Sequence, residues 1–260
     1  MLLGVNIDHI ATLREARKIN DPNPLDALSI CKFSGADQIT IHLREDRRHI
    51  HDLDAKAIIE QSALPINLEC SINSDIIDIV CKLKPYRATL VPENRDEVTT
   101  EGGLDLEKNF NKIDAAIEKL KENNIEVSLF IDPNNKSIEL ANMLEVPWIE
   151  LHTGSYANIY AMLYTNLKHT QHSIKELELN QIELKNRLNR SFEELKTASN
   201  FASNLGLKVA AGHGLNYQNV KSICTIKEIV ELNIGQSIIA RSVFTGLASA
   251  ITEMKKLINE

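Results

Sequence analysis

The residues Gln38-Ile39-Thr40-Ile41-His42-Leu43-Arg44-Glu45-Asp46-Arg47-Arg48-His49 begin as an apolar run and end in two histidines, three arginines and two acids. Histidine titrates near neutrality, so His42 suits proton transfer; the bland alternative is a satisfied core histidine. Arg44, two residues on, carries a planar fork that matches phosphate oxygens. Glu69 follows the apolar Ile66 and Leu68. A carboxylate there is costly unless it is paired or functional, which leaves a general base or a structural ion pair with an arginine. His213 stands between Gly212 and Gly214. Two glycines let backbone N–H groups approach a ligand closely, although a glycine turn with an incidental histidine would look the same. Asn233-Ile234-Gly235-Gln236-Ser237 offers a second glycine turn that opens a helix.

Asp8, His9, Arg17, Arg44, Arg47, Arg48 and His49 form a further polar group, readable as an anion site or as a solvated charged loop. The loop reading suits Arg47 and Arg48 better than Arg44. Asp132 and His152 also end apolar runs, and His152 either donates to a ligand or braces its surroundings. Asp8, His42, Glu69, His152 and His213 could be assembled into a metal site, but no fixed offset within one strand or helix requires it. No serine or cysteine nucleophile elbow is present, and no lysine ends a strand as in a Schiff-base barrel. What remains is proton shuttling by His and Glu beside two anion sites.

These residues share a place. Each closes an apolar strand, and a helix follows. The strands read as 2–8, 38–42, 64–70, 87–92, 126–132, 148–154, 208–214 and 228–235. Helical patterns cover 24–34, 52–62, 74–83, 109–123, 135–145, most of 156–204, and 216–225, with a last helix running to near Glu260. Eight strand–helix units in about 250 residues predict an α/β fold of the (β/α)8 TIM-barrel type. A doubly wound open sheet is the alternative, with about six strands or fewer as its usual count. The barrel explains why polar residues gather at strand C-termini. Loops after its last two strands, with helix N-termini, form its usual phosphate site.

No linker or composition shift divides residues 1–260, so one domain is expected. The stretch at about 158–190 exceeds ordinary connections and reads as an extra helix or helical hairpin inserted in unit six, at the surface or in a subunit contact. His169 and His172 lie there at i, i+3 without a third ligand nearby.

The net charge of -7 argues against a nucleic-acid partner. Apolar runs are only strand-length, so no membrane span is expected. Met1-Leu2-Leu3-Gly4 enters a strand without a basic leader, which points to a cytoplasmic location. Cys31, Cys70, Cys81 and Cys224 form no CxxC pair; three of them sit in helical patterns and read as core thiols, and no disulfide or zinc framework is expected.

Taken together, Gly4-Val5-Asn6-Ile7-Asp8-His9-Ile10-Ala11-Thr12-Leu13-Arg14, Ile41 to Ile50, Asn67-Leu68-Glu69, Leu90-Val91-Pro92-Glu93, Glu97 to Asp105, Val127 to Asp132, Glu150 to Gly154, Ala211 to Leu215 and Glu231 to Gly235 closely resemble the pyridoxine 5'-phosphate synthase family. The likeness runs in order along nearly the whole chain and leaves out only the segment around 158–190. It implies a ring-forming condensation of 3-amino-2-oxopropyl phosphate with 1-deoxy-D-xylulose 5-phosphate, giving pyridoxine 5'-phosphate, phosphate and water. No metal and no cofactor are implied, and homo-octamers are.

By the same resemblance His42 and Glu69 would be proton acceptors and His213 a proton donor. Asn6, Arg17, Gly214, Gly235 and Gln236 would bind the aminoketone phosphate. Asp8, His9, Arg44, His49 and Thr99 would hold the deoxyxylulose phosphate, with Thr99 in a polar loop that closes over the substrates. The family usually has histidine where Gln236 stands and asparagine where Ala210 stands. Two other functions fit the residues alone: a catalytically silent barrel that binds phosphometabolites, and a metal-dependent aldolase or epimerase on the same fold.

Overall fold

A computed structural model describes residues 1–93 and 102–260. Eight parallel strands close into a barrel in sequence order: β1 Leu2–Asn6, β2 Gln38–His42, β3 Ile66–Cys70, β4 Arg87–Leu90, β5 Glu126–Ile131, β6 Trp148–His152, β7 Lys208–Gly212 and β8 Ile229–Ile234. The ring is completed by β1 on β8, with Leu3 opposite Leu232 and Gly4 opposite Asn233. Between the strands run α1 Asp8–Glu15, α2 Ala27–Phe33, α3 Asp52–Gln61, α4 Ser74–Leu83, α5 Leu106–Glu122, α6 Asn135–Met143, α7 Gly154–Tyr164, α8 Gln181–Asn204, α9 Val220–Ile223, α10 Gln236–Thr245 and α11 Leu247–Leu257. The structure is thus the TIM barrel that the strand count predicts.

The strands are buried on both faces, which is why they read as near-continuous apolar runs. All five residues of β2 and of β6 are buried. Their period of two still sorts them. Ile39, Ile41, Leu68, Ile149 and Leu151 belong to the aliphatic core. The intervening Gln38, Thr40, Asn67, Thr89, Glu150, Glu231 and Asn233 bond to one another across the ring. At its floor Arg87 pairs with Glu231 at 2.7 Å and lies 3.8 Å over the Trp148 ring.

Helix starts follow local chemistry. Asn73, Asp105, Asn134 and Asn180 cap α4, α5, α6 and α8 by accepting backbone N–H groups with their side chains. Proline opens a 3-10 turn at Pro24–Asp26 ahead of α2.

Three elements differ from the sequence reading. Helix α1 occupies residues read only as functional side chains, because its polar residues break the apolar stripe that marks a helix. The last helix is two, parted at Gly246, whose φ of +80° ends α10. Within 216–225 only Val220–Ile223 is helical. Between α7 and α8 lie 3-10 turns at Leu167–His169 and Lys175–Leu177, and Ile159, Met162 and Leu184 make a small separate apolar cluster. Among the described residues no helix is long and apolar enough to cross a membrane.

Candidate active site

A cavity of about 330 Å³ opens at the C-terminal mouth of the barrel. That volume lies within the range of small-molecule sites. Asn6, His9, His42, Glu69, Phe130, Glu150, His213, Gly214, Asn233, Gly235 and Gln236 are among its lining residues, supplied by the ends of β1, β2, β3, β5, β6, β7 and β8. Parallel strands all present their C-termini at one end, so residues far apart in sequence meet there.

His42 is held on two sides. Its backbone N–H donates to Asp8 Oδ1 at 2.9 Å, and its Nε2 lies 2.8 Å from Glu93 Oε1. With Nε2–H donated to Glu93, the Nδ1 lone pair faces Glu69, whose Oε2 is 4.0 Å away. Burial pushes Glu93 up, but the bonds from His42 and from the Glu45 amide outweigh it and hold Glu93 below the ordinary carboxylate range.

Glu69 is raised well above the ordinary value by burial, and the charges of Glu150 and Asp8 add to this. Glu150 is pushed up to about 7 by burial, partly offset by the Asn233 amide that donates to it at 2.7 Å. His213 moves the other way, down to about 4, through burial and the nearby His152. The cavity therefore brings together carboxyls that bind protons unusually well and an imidazole that binds them poorly. Such opposed shifts mark sites of proton transfer.

The remaining anion-binding candidates are placed as follows. Asn6 lines the cavity and folds back on Asp8, its amide donating to Asp8 Oδ2 at 2.8 Å while its Oδ1 accepts the Asp8 N–H at 2.9 Å. His9 lines the cavity with Nδ1 buried and without a partner among the described residues, and burial lowers its pKa against the pull of Asp8. Gly214 and Gly235 sit in turns at the ends of β7 and β8, and Gln236 begins α10. These turns lie where a TIM barrel usually binds phosphate.

Asp8, Arg44 and His49 surround this wall without lining the cavity. Asp8 lies under His42; Arg44 reaches Asp46 at 3.3 Å. The His49 ring is 6.2 Å from that of His42, and its Nδ1 accepts the Ile50 N–H. Arg14 braces this loop from α1, with a two-pronged pair to Asp54 at 2.8 and 2.7 Å and a bond to the His49 carbonyl. Arg47 and Arg48 are taken up by Asp52 and Asp46. Arg17 is exposed beyond the end of α1 and does not line the cavity. Thr99, with the loop expected to close over the substrates, lies outside the described residues.

Sequence reasoning gave no role to Glu93, Glu150 or Phe130. Glu93 stands 51 residues from the histidine it holds, and no local pattern joins them. A signal for Glu150 was present: it precedes the inward His152 by two in a buried strand. Among the described residues, no three His, Cys, Asp or Glu side chains are grouped to hold a metal ion.

Residues 3–260 match the family model described as pyridoxal phosphate biosynthesis protein PdxJ. The chain is 76% identical to the pyridoxine 5'-phosphate synthase of Aliarcobacter butzleri, over 99% of each chain. It is 63% identical to that of Sulfurovum sp., over 99% of this chain and 100% of the relative. Among solved structures, a 3-hexulose-6-phosphate synthase superposes with a TM-score of 0.60 at 12% identity, over 99% of each chain, which is a likeness of fold.

Proposed function

The chain belongs to the PdxJ family of pyridoxal phosphate biosynthesis proteins, and from that premise we propose how its barrel mouth makes pyridoxine 5'-phosphate. The substrates are 3-amino-2-oxopropyl phosphate and 1-deoxy-D-xylulose 5-phosphate; phosphate and water leave. The amine of one adds to a ketone of the other, and the carbinolamine loses water. Carbons beside the carbonyls lose protons, a phosphate departs, and a second condensation closes the ring. Every one of these steps moves a proton, so one pocket needs several groups that exchange protons near neutral pH.

One observation carries this reading: His42, Glu69, Glu150 and His213 converge on a single cavity flanked by two glycine turns. In our assignment His42 and Glu69 accept protons. Glu93 fixes the tautomer of His42, leaving Nδ1 as the basic atom. Glu69 takes a proton readily because its own burial disfavours its charge. His213 donates. Its low proton affinity makes it a neutral imidazole in the free protein, and a bound phosphate dianion beside Gly214 would favour its charged, donating form.

Asn6, Gly214, Gly235 and Gln236 hold the aminoketone phosphate at the cavity wall, with N–H groups of the β7 and β8 turns and of the α10 N-terminus facing the anion, and Arg17 reaches it from outside the wall. Asp8, His9, Arg44, His49 and Thr99 hold the deoxyxylulose phosphate. Exclusion of water protects the imine stages. The same reading makes the chain one domain with an insertion at about 158–190, a homo-oligomer of octameric type, and a cytoplasmic protein.

The test is direct. Chelator-treated protein is mixed with both substrates, and pyridoxine 5'-phosphate is followed by mass. Product without added metal is the expected result. Absence of product while both phosphates still bind would overturn the reading in favour of a silent binding barrel, and product only on adding a metal would favour the aldolase-like alternative.

A further inference from the structure

We propose that His152 is a positioning residue for His213, holding the His213 imidazole edge-on with a ring whose own orientation Asp132 fixes. The inference rests on the reading of His213 as the proton donor.

His213 needs such support. Its φ is +81°, a left-handed backbone that a non-glycine residue adopts at a cost. Such a conformation persists only where the surroundings over-determine it. The support comes from the junction of β6 and α7. The His152 and His213 rings lie 4.9 Å apart at an interplanar angle of 63°, and Phe130 packs against both, 5.1 Å from His152 and 6.3 Å from His213. Thr153 Oγ1 lies 2.6 Å from the carbonyl oxygens of both Gly212 and His213, so one hydroxyl holds the strained turn.

The chemistry of His152 differs from that of a core histidine. Its ring is only 7% exposed. Nδ1 reaches Asp132 Oδ1 at 3.3 Å, which sets the tautomer with the proton on Nδ1. Nε2 is buried and has no partner among the described residues. A residue needed only to fill that space would be better apolar, since an unpaired buried nitrogen costs stability. Space for both rings is made at Gly154. A Cβ there would stand 2.4 Å from His152 Nε2 and 3.3 Å from His213 Cδ2. Asp132, His152 and His213 thus run from the rim to the cavity. The other titratable groups lining the cavity about His213 are Glu150, Glu69, His42 and His9.

The experiment compares the full-length wild type with His152→Phe, which keeps a ring of similar breadth, and with His152→Asn, which keeps an N–H donor toward Asp132. Steady-state turnover is measured, and His213 is titrated in the substrate-free protein by NMR of 15N-labelled histidine, assigned with His213→Gln. We expect His152→Phe to lower kcat roughly 10- to 100-fold, the effect of a displaced catalytic group, with KM within about threefold. The His213 midpoint should move to higher pH, because the neighbouring imidazole that lowers it is gone, and His152→Asn should recover part of kcat. Wild-type kcat with an unmoved His213 midpoint overturns the proposal, as does a loss of kcat with no movement of that midpoint. Should His152→Phe fail to fold, Asp132→Ala at the rim carries the test: wild-type kcat there overturns it equally. The titration needs no turnover, so a wild type that makes no product would count against the assigned reaction and leave this measurement standing.

Discussion

Replacing Gly214 with alanine tests the phosphate turn through two separable physical effects. Gly214 has φ +83°, and a Cβ there would stand 2.6 Å from the Ala157 Cβ of α7. The backbone part costs about 1–2 kcal/mol, the penalty of a left-handed conformation for an L side chain. Forcing a methyl against a packed neighbour adds about 1–3 kcal/mol. Gly214→Ala should therefore lose about 2–5 kcal/mol of stability. Ala157→Gly alone should lose about 1 kcal/mol as a helix glycine, but it removes the opposing methyl. The double variant then keeps the backbone penalty and sheds the clash, so the two changes should couple favourably by about 1–3 kcal/mol. Urea denaturation of the four proteins at constant m yields the coupling directly. Aminoketone-phosphate affinity, measured alongside, should fall in Gly214→Ala and partly return in the double variant, because the Gly214 N–H returns toward its place. Additive stabilities within about 0.5 kcal/mol would refute the contact as described, and unchanged phosphate affinity would refute the role given to this turn.

Glu69→Gln should lower kcat by about 10²–10⁴, the usual share of a general base, while substrate affinity stays near wild type; the acid limb of the kcat/KM profile, which falls as pH drops through the raised Glu69 pKa, should vanish with it. Glu150 binds its proton more tightly folded than unfolded, so its stabilisation is full below the ordinary carboxylate pKa and is lost as pH rises through about 7. The slope approaches about 1.4 kcal/mol per pH unit in that window, and urea midpoints of Glu150→Gln should lack it. Arg14→Met removes the charge partner of Asp54, which keeps only the His51 N–H among the described residues, and frees the His49 carbonyl; a loss of about 2–4 kcal/mol is expected for this partly buried pair, together with weaker deoxyxylulose phosphate binding by calorimetry. Gln236 is exposed at the start of α10, so Gln236→Ala should change aminoketone-phosphate affinity by less than about threefold; a larger loss would show that the side chain, not the backbone, holds the anion.

Much of this was legible in the chain. Parallel strands buried on both faces are continuous apolar runs, so eight of them could be counted, and a barrel allows one place for the polar residues that end them. His42, Glu69 and His213 stood out for that reason, as did the glycine turns after the last two strands. The chain also carried motifs long enough to resemble one family. Local chemistry misled where function and secondary structure used the same residues: α1 was hidden by Asp8, His9, Thr12 and Arg14, and Gly246 divided a stretch that reads as one helix.

Barrel closure decided what no local pattern holds. Glu93 meets His42 across 51 residues, and Gln38 meets Glu231 across 193. Asp132, His152 and His213 stand at the ends of three neighbouring strands, and His152 meets the other two only because β5, β6 and β7 pair in one register. The proton affinities follow from these meetings. Glu69 and Glu150 rise because both are buried in one enclosed interior, and His213 falls through burial first and the neighbouring His152 second. Residue type and strand end set which groups could move protons; burial and the register of the closed ring set which of them hold one.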